Sequence, residues 1–143
     1  MAKVLVIDDE PDVLMLCRVN LEHAGHEVLV AQDGEQGMVL ARAELPDVIV
    51  LDLMMPLMDG FDVLEELTLD DGTRQVPVLI LTARTRALDM VRGWRAGAWG
   101  YLTKPFAPAS LTADIDRLQH MTAAERDLVR AEALRTLLGE GAA

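Results

Sequence analysis

The sequence predicts an α/β fold: an open sheet of five parallel strands, wound with helices on both sides. Three observations predict it. Short apolar runs rich in Val, Ile and Leu recur along the chain, most clearly Val48-Ile49-Val50-Leu51, and unbroken runs of this kind belong to strands buried on both faces. Each run is followed by a longer segment with apolar residues at helical spacing. Gly, Pro and Asp punctuate the joints between them. Strand and helix therefore alternate five times, which implies right-handed crossovers and a parallel sheet covered on both sides.

The elements follow in order. Residues 3–7 read as the first strand, stopped by Asp8-Asp9-Glu10-Pro11. Pro11 suits the first position of a helix, and acids there favour the helix dipole. That helix reaches about residue 24, where Gly25 stops it. Residues 26–31 form the second strand. Asp33-Gly34 turns the chain, and a helix over 35–44 ends before Pro46. Residues 47–51 form the third strand, which ends on Asp52. A carboxylate at the tip of a buried strand is held firmly and can face solvent. Pro56 and Asp59-Gly60 then bend the chain away. A helix over 61–69 closes at Asp70-Asp71-Gly72. Residues 76–81 form the fourth strand, followed by Thr82. A helix over 85–96 ends at Gly97, and residues 99–102 form a short fifth strand before Thr103-Lys104-Pro105-Phe106. A helix starting near Ala109 passes Leu111, Ile115 and Leu118.

These five strand–helix units, over about residues 1–119, fit the flavodoxin-like, doubly wound strand order 2-1-3-4-5. Residues 120–143 form a helical extension. Thr122 and Glu125 have capping-box spacing, so either a separate helix begins there or the fifth helix continues. Leu128, Ala131, Leu134 and Leu138 make its apolar stripe, and Asp127–Arg130 and Glu132–Arg135 can pair across a turn. The extension packs on its own domain, dimerises, or forms the stub of a linker.

Composition narrows the function. A net charge of −11 opposes binding to nucleic-acid phosphates, which need clustered Lys and Arg. The apolar runs are too short to span a membrane, and a strand starting at Lys3 leaves no room for a signal peptide. The single cysteine, Cys17, sits in an apolar helical pattern and reads as a buried structural thiol. All of this suits the cytoplasm.

In the 2-1-3-4-5 order, ligands bind outside the carboxyl ends of strands 1 and 3. Asp8, Asp9, Asp52, Thr82 and Lys104 all follow strand ends on that edge. Singly, each has an ordinary explanation: a helix cap, a turn residue, a surface lysine. Together they form a chemical set. Carboxylates crowded together take up protons or gather around a cation, and an all-oxygen set with few protein donors suits Mg²⁺. Lys104 and Thr82 suit the oxygens of a transferred phosphoryl group, which needs positioning and charge neutralisation. Asp52, at the centre, is the natural nucleophile.

Over roughly residues 3–119 the chain resembles the receiver domain of two-component response regulators. The resemblance rests on Val6-Ile7-Asp8-Asp9-Glu10, Leu51-Asp52-Leu53-Met54-Met55-Pro56 with Asp59-Gly60, Leu81-Thr82-Ala83, and Gly97-Ala98 through Tyr101-Leu102-Thr103-Lys104-Pro105-Phe106. It implies that Asp52 accepts a phosphoryl group from a sensor histidine kinase or a histidine phosphotransfer protein. It implies Mg²⁺ on Asp9, Asp52 and the Met54 backbone carbonyl, with Asp8 acting mainly through water. Thr82 and Lys104 would hold the phosphoryl oxygens, and the Lys104-Pro105 bond would be cis. Tyr101 would swing in behind Thr82 and alter the face made by the fourth helix, fifth strand and fifth helix. Such a chain is a switch rather than an enzyme, catalysing only its own aspartyl phosphorylation and dephosphorylation.

With no effector domain following, the expected output is binding to a downstream protein or onward relay of phosphate. Homodimerisation through the switching face or the C-terminal helix stays open. Trp99-Gly100 replaces the acidic pair common in such domains, which puts a charged dimer face in doubt. Trp94 and Trp99 either make an apolar partner surface or lie under a neighbouring element. Arg84 stands at the rim of the site, as a tuner of phosphoryl lifetime or as a solvated charge.

The alternatives are a degenerate receiver that binds partners without phosphorylation, a haloacid-dehalogenase-like phosphatase and a flavodoxin. The phosphatase needs a second acid two residues after its nucleophile, where this chain has Met54.

Overall fold

The computed structural model describes residues 1–56, 58–83 and 86–139. Its strands are β1 (Lys3–Ile7), β2 (Glu27–Ala31), β3 (Val48–Leu51), β4 (Val78–Thr82) and β5 (Gly100–Thr103). They pair in parallel in the order β2-β1-β3-β4-β5, as expected. The helices between and after them are α1 (Pro11–His23), α2 (Gly34–Glu44), α3 (Gly60–Leu69), α4 (Ala87–Ala96), α5 (Pro108–Gln119) and α6 (Ala123–Leu138).

The strand period of two explains why both faces are apolar. Leu5, Ile7, Ile49, Leu51 and Ile80 point to one side, where Phe61, Leu64 and Leu67 of α3 and Trp94 of α4 meet them. Val4, Val6, Val48, Val50, Leu79 and Leu81 point to the other. There they meet Leu14, Cys17 and Leu21 of α1 and Leu111, Ile115 and Leu118 of α5. A run with no polar position satisfies both layers, so the sheet can be covered only by helices on each side. Each fully buried Leu, Ile or Val contributes roughly 1.5–3 kcal/mol through removal from water.

The differences from expectation are local. β4 starts at Val78 rather than at 76, because the Val76 amide turns back to the Thr73 carbonyl oxygen (3.0 Å) and Pro77 has no N–H to donate. β4 includes Thr82, and β5 runs over 100–103 rather than 99–102. Thr85, the expected start of the fourth helix, and Arg84 lie outside the described residues.

The C-terminal extension is a separate helix. α5 ends at Gln119, and a full capping box opens α6: the Thr122 hydroxyl accepts from the Glu125 amide (3.1 Å), and the Thr122 amide donates to Glu125 Oε1 (3.0 Å). Its inward face is not the expected stripe. Val129, Ala133, Leu134 and Leu137 pack on the core, whereas Leu128 and Leu138 are exposed. Arg130, expected to pair with Asp127, donates instead to the Ala98 carbonyl oxygen at 3.5 Å, and Asp127 takes Arg126 (2.9 Å).

Both tryptophans are covered, so they make no apolar partner surface. Trp94 lies against Tyr101, with ring centroids 5.9 Å apart, and the Arg126 guanidinium stacks 4.9 Å from the Trp99 ring centre. Cys17 is buried, and burial pushes its thiol up to about 12, leaving it unreactive.

Candidate functional site

Four backbone turns carry the site to the carboxyl edge of the sheet. Asp8 leaves β1, with its amide donating to the Ala31 carbonyl oxygen of neighbouring β2 (3.1 Å). Asp52 leaves β3, with its amide donating to Ile7 in β1 (3.0 Å). Thr82 closes β4 and is fully buried. Its carbonyl oxygen accepts from the Lys104 amide (2.9 Å), which sets Lys104 one residue past β5. The sheet ladder thus continues one step beyond the strands, and that step sets Asp8, Asp52 and Lys104 at one edge, where Thr82 ends β4. The Lys104-Pro105 bond is cis.

Lys104 Nζ is the hub. It lies 2.8 Å from Asp8 Oδ2, as an ion pair rather than an aligned hydrogen bond. It donates to Asp52 Oδ2 at 3.2 Å and to Glu10 Oε1 at 3.0 Å. Asp52 Oδ1 accepts from the Met54 amide (3.0 Å), and Asp8 Oδ1 from the Glu10 amide (2.9 Å). The Met54 side chain is half exposed. Asp52 departs from one expectation: it does not face open solvent, since only 2% of the residue is accessible beside the Lys104 ammonium.

The charges are frustrated. Burial raises the Asp8 pKa, more than contact with Lys104 lowers it. Burial likewise raises Asp52, against the pull of the Met54 amide and Lys104. Burial works against the Lys104 charge too, but its close contacts with Asp8 and Glu10 more than restore it and hold its pKa above the ordinary value. One ammonium serves more carboxylates than it can neutralise.

In the sequence Glu10 has no role in the site beyond its place in the acidic run before α1. Here it is also a Lys104 partner. Its signal is three consecutive acids before Pro11, one more than a cap needs.

A metal fits this arrangement. Carboxylate oxygens of Asp8, Asp9, Glu10 and Asp52 come within 4.8 Å of one another. Asp9 Oδ1 is buried and has no hydrogen-bond partner among the described residues. A buried carboxylate oxygen left unpaired is costly, and a hard divalent cation on an all-oxygen set removes that cost.

Tyr101 sits half-buried in β5, and its hydroxyl donates to the Asp89 carbonyl oxygen of α4 (3.3 Å).

Gly60 keeps the turn after Asp52 tight. A Cβ there would collide with the Leu53 Cα and lie 2.6 Å from the Asp52 carbonyl oxygen. Backbone cannot step aside as a flexible side chain can. Gly60→Ala is therefore expected to destabilise the fold by about 1–3 kcal/mol. Urea unfolding measures this, and a midpoint equal to wild type would count against such close packing.

Comparison with known proteins agrees with this geometry. Residues 4–116 match the family model of the response regulator receiver domain. Protein PilH of Pseudomonas aeruginosa is 41% identical over 116 residues, a match covering 81% of this chain and 96% of PilH. The DNA-binding dual master transcriptional regulator RpaA of Synechocystis is 43% identical over 122 residues, covering 85% of this chain. The chain spans only about half of RpaA, 51% of its length. Among solved structures, the Vibrio cholerae chemotaxis protein CheY4 is similar with a TM-score of 0.79 at 35% identity, covering 82% of this chain and 98% of CheY4. No helix among the described residues is long and apolar enough to cross a membrane.

Proposed function

This chain belongs to the response regulator receiver domain family, and on that premise we propose that it is a phosphorylation switch with Asp52 as its phospho-acceptor. The observation that carries this reading is the Asp52 carboxylate, held by the Met54 amide on one oxygen and by Lys104 on the other, inside a ring of further acids. The donor is a phosphohistidine on a sensor kinase or a phosphotransfer protein. An Asp52 oxygen attacks phosphorus in line. The P–O bond forms as the P–N bond of the donor breaks, and the departing imidazole keeps the N–P electron pair and takes up a proton. An acyl phosphate remains on Asp52.

The resident groups divide the work. Lys104 leaves its carboxylate partners for the phosphoryl oxygens and neutralises charge that builds there. Asp9, Asp52 and the Met54 carbonyl would hold Mg²⁺, with Asp8 acting through water; when bound, the ion neutralises phosphoryl charge and relieves the crowding of the acids. Thr82, buried at the end of β4, donates its hydroxyl to the phosphoryl group. The new group adds a charge of about −1.5 to −2. Tyr101 moves toward Thr82, and the α4–β5–α5 face changes. Coupling of about 1–3 kcal/mol is enough to bias a partner. Given the net charge of −11, the surface of this chain meets a protein partner rather than DNA phosphates; the proposed setting is the cytoplasm.

The test is intact-mass spectrometry after incubation with a small phosphodonor. We expect one phosphoryl increment in Mg²⁺ and none in EDTA. An unmodified mass in Mg²⁺ would overturn this reading in favour of a phosphorylation-independent binding module. Repeated turnover of a generic phosphomonoester would favour a phosphatase.

A further inference from the structure

α6 begins beyond residue 116, where the family match stops, yet it packs along α4. Val129, Ala133, Leu134 and Leu137 share one helical face and join the cluster that holds Trp94, Ala98 and Tyr101. One turn earlier, Arg126 stacks on Trp99 just before β5. α6 therefore occupies the surface made by α4 and the start of β5.

Its seat is imperfect. None of its residues is fully buried. The Arg130 bond to the Ala98 carbonyl oxygen is stretched to 3.5 Å, and Arg130 Nε is buried with no hydrogen-bond partner among the described residues. Partial apolar burial and an under-satisfied arginine describe an element of low local stability.

Tyr101 links this seat to the phosphorylation site. Its hydroxyl reaches the Asp89 carbonyl oxygen in α4, and its ring stands beside Trp94. A side chain at Gly93 of α4 would collide with that hydroxyl. On the sheet side, Tyr101 is in register with Ile80, two residues before Thr82. The movement of the ring toward Thr82 proposed above would withdraw a support from α4, at Gly93 and Trp94, and so would reshape the surface under α6.

We propose that α6 is a displaceable occupant of the α4 surface, seated while Asp52 is unmodified and released when Asp52 carries a phosphoryl group. A partner that reads this face must displace α6. The proposal rests on the phospho-acceptor reading of Asp52. Linkage adds a reciprocal consequence: if the phosphoryl group weakens α6 docking, freeing α6 must strengthen phosphoryl-mimic binding by the same factor.

The experiment is amide hydrogen exchange on the full chain in Mg²⁺, with and without beryllofluoride as the phosphoryl mimic. We expect amides of residues 123–138 to exchange at least about fivefold faster with the mimic. Tryptophan fluorescence should shift as well, since both tryptophans lie at this seat. If the mimic protects amides around Asp52 and leaves α6 unchanged, the α6 proposal falls and the phospho-acceptor reading stands. If the mimic protects nothing near Asp52, both fall. In the double variant Leu134→Asp, Leu137→Asp, α6 should exchange freely without the mimic, and beryllofluoride should bind at least about fivefold tighter. A freed α6 with unchanged beryllofluoride affinity would overturn the coupling.

Discussion

Asp52→Asn is expected to remove the phosphoryl increment completely and, in metal-free buffer, to make the protein more stable. The first effect follows from chemistry, because an amide cannot form an acyl phosphate by this route. The second follows from linkage. Burial holds the Asp52 pKa above its ordinary 3.8, so the native state binds the proton more tightly than the unfolded chain does. Such a group supports the fold fully below 3.8, and its support is lost as pH rises through the native pKa. Asparagine carries no charge to lose. Thermal melts in EDTA should therefore coincide for wild type and variant at the acid end. They should separate toward neutral pH, with the variant higher. Mg²⁺ should narrow the gap by raising the wild type. A phosphoryl increment that persists in the variant would remove Asp52 from its role. A variant less stable than wild type at neutral pH in EDTA would show that Lys104 already compensates its charge.

Lys104→Met should move stability in the opposite direction. Asp8, Asp52 and Glu10 lose the ammonium that lies 2.8–3.2 Å from them, and Asp8 and Asp52 are almost wholly buried. Removing one partner of a buried ion pair typically costs about 3–5 kcal/mol. For a chain of this size that is a fall in Tm on the order of 10 °C. The loss should shrink in acid, where Asp8 and Asp52 take up protons, and in Mg²⁺. The rate of phosphorylation by a small donor should fall about 10²- to 10³-fold, as when one fixed charge donor to a transition state is deleted. Equal melting of wild type and variant in EDTA would mean that Lys104 is not the counter-charge of this cluster. A normal phosphorylation rate would remove it from the reaction. Opposite signs for the two variants form a joint signature of a site with more negative charge than it can neutralise.

Much of this site is legible in the amino-acid sequence, and the reason is periodicity. In a parallel sheet every strand points the same way, so residues that end successive apolar runs share one edge. Asp8, Asp52, Thr82 and Lys104 need no further information to be grouped. The role of Glu10 is less legible, because a long side chain reaches Lys104 through its choice of rotamer. The cover over Asp52 is not legible either. The sequence places the carboxylate at a strand tip, but how much water reaches it depends on Lys104, from a segment 52 residues away.

α6 marks the boundary between the two kinds of information. Thr122 and Glu125 announce its start. Its apolar residues, however, lie on more than one side of the helix. Leu128 and Leu138 belong to one stripe, and Val129, Ala133 and Leu137 to another. Only the presence of α4 selects which side is buried. By itself the sequence determined the strand order and the residues at the reactive edge, because these follow from local pattern and chain direction. The tertiary structure alone decided which acid meets Lys104, how far Asp52 is covered and which face of α6 is seated, because each of these depends on a surface that another part of the chain supplies.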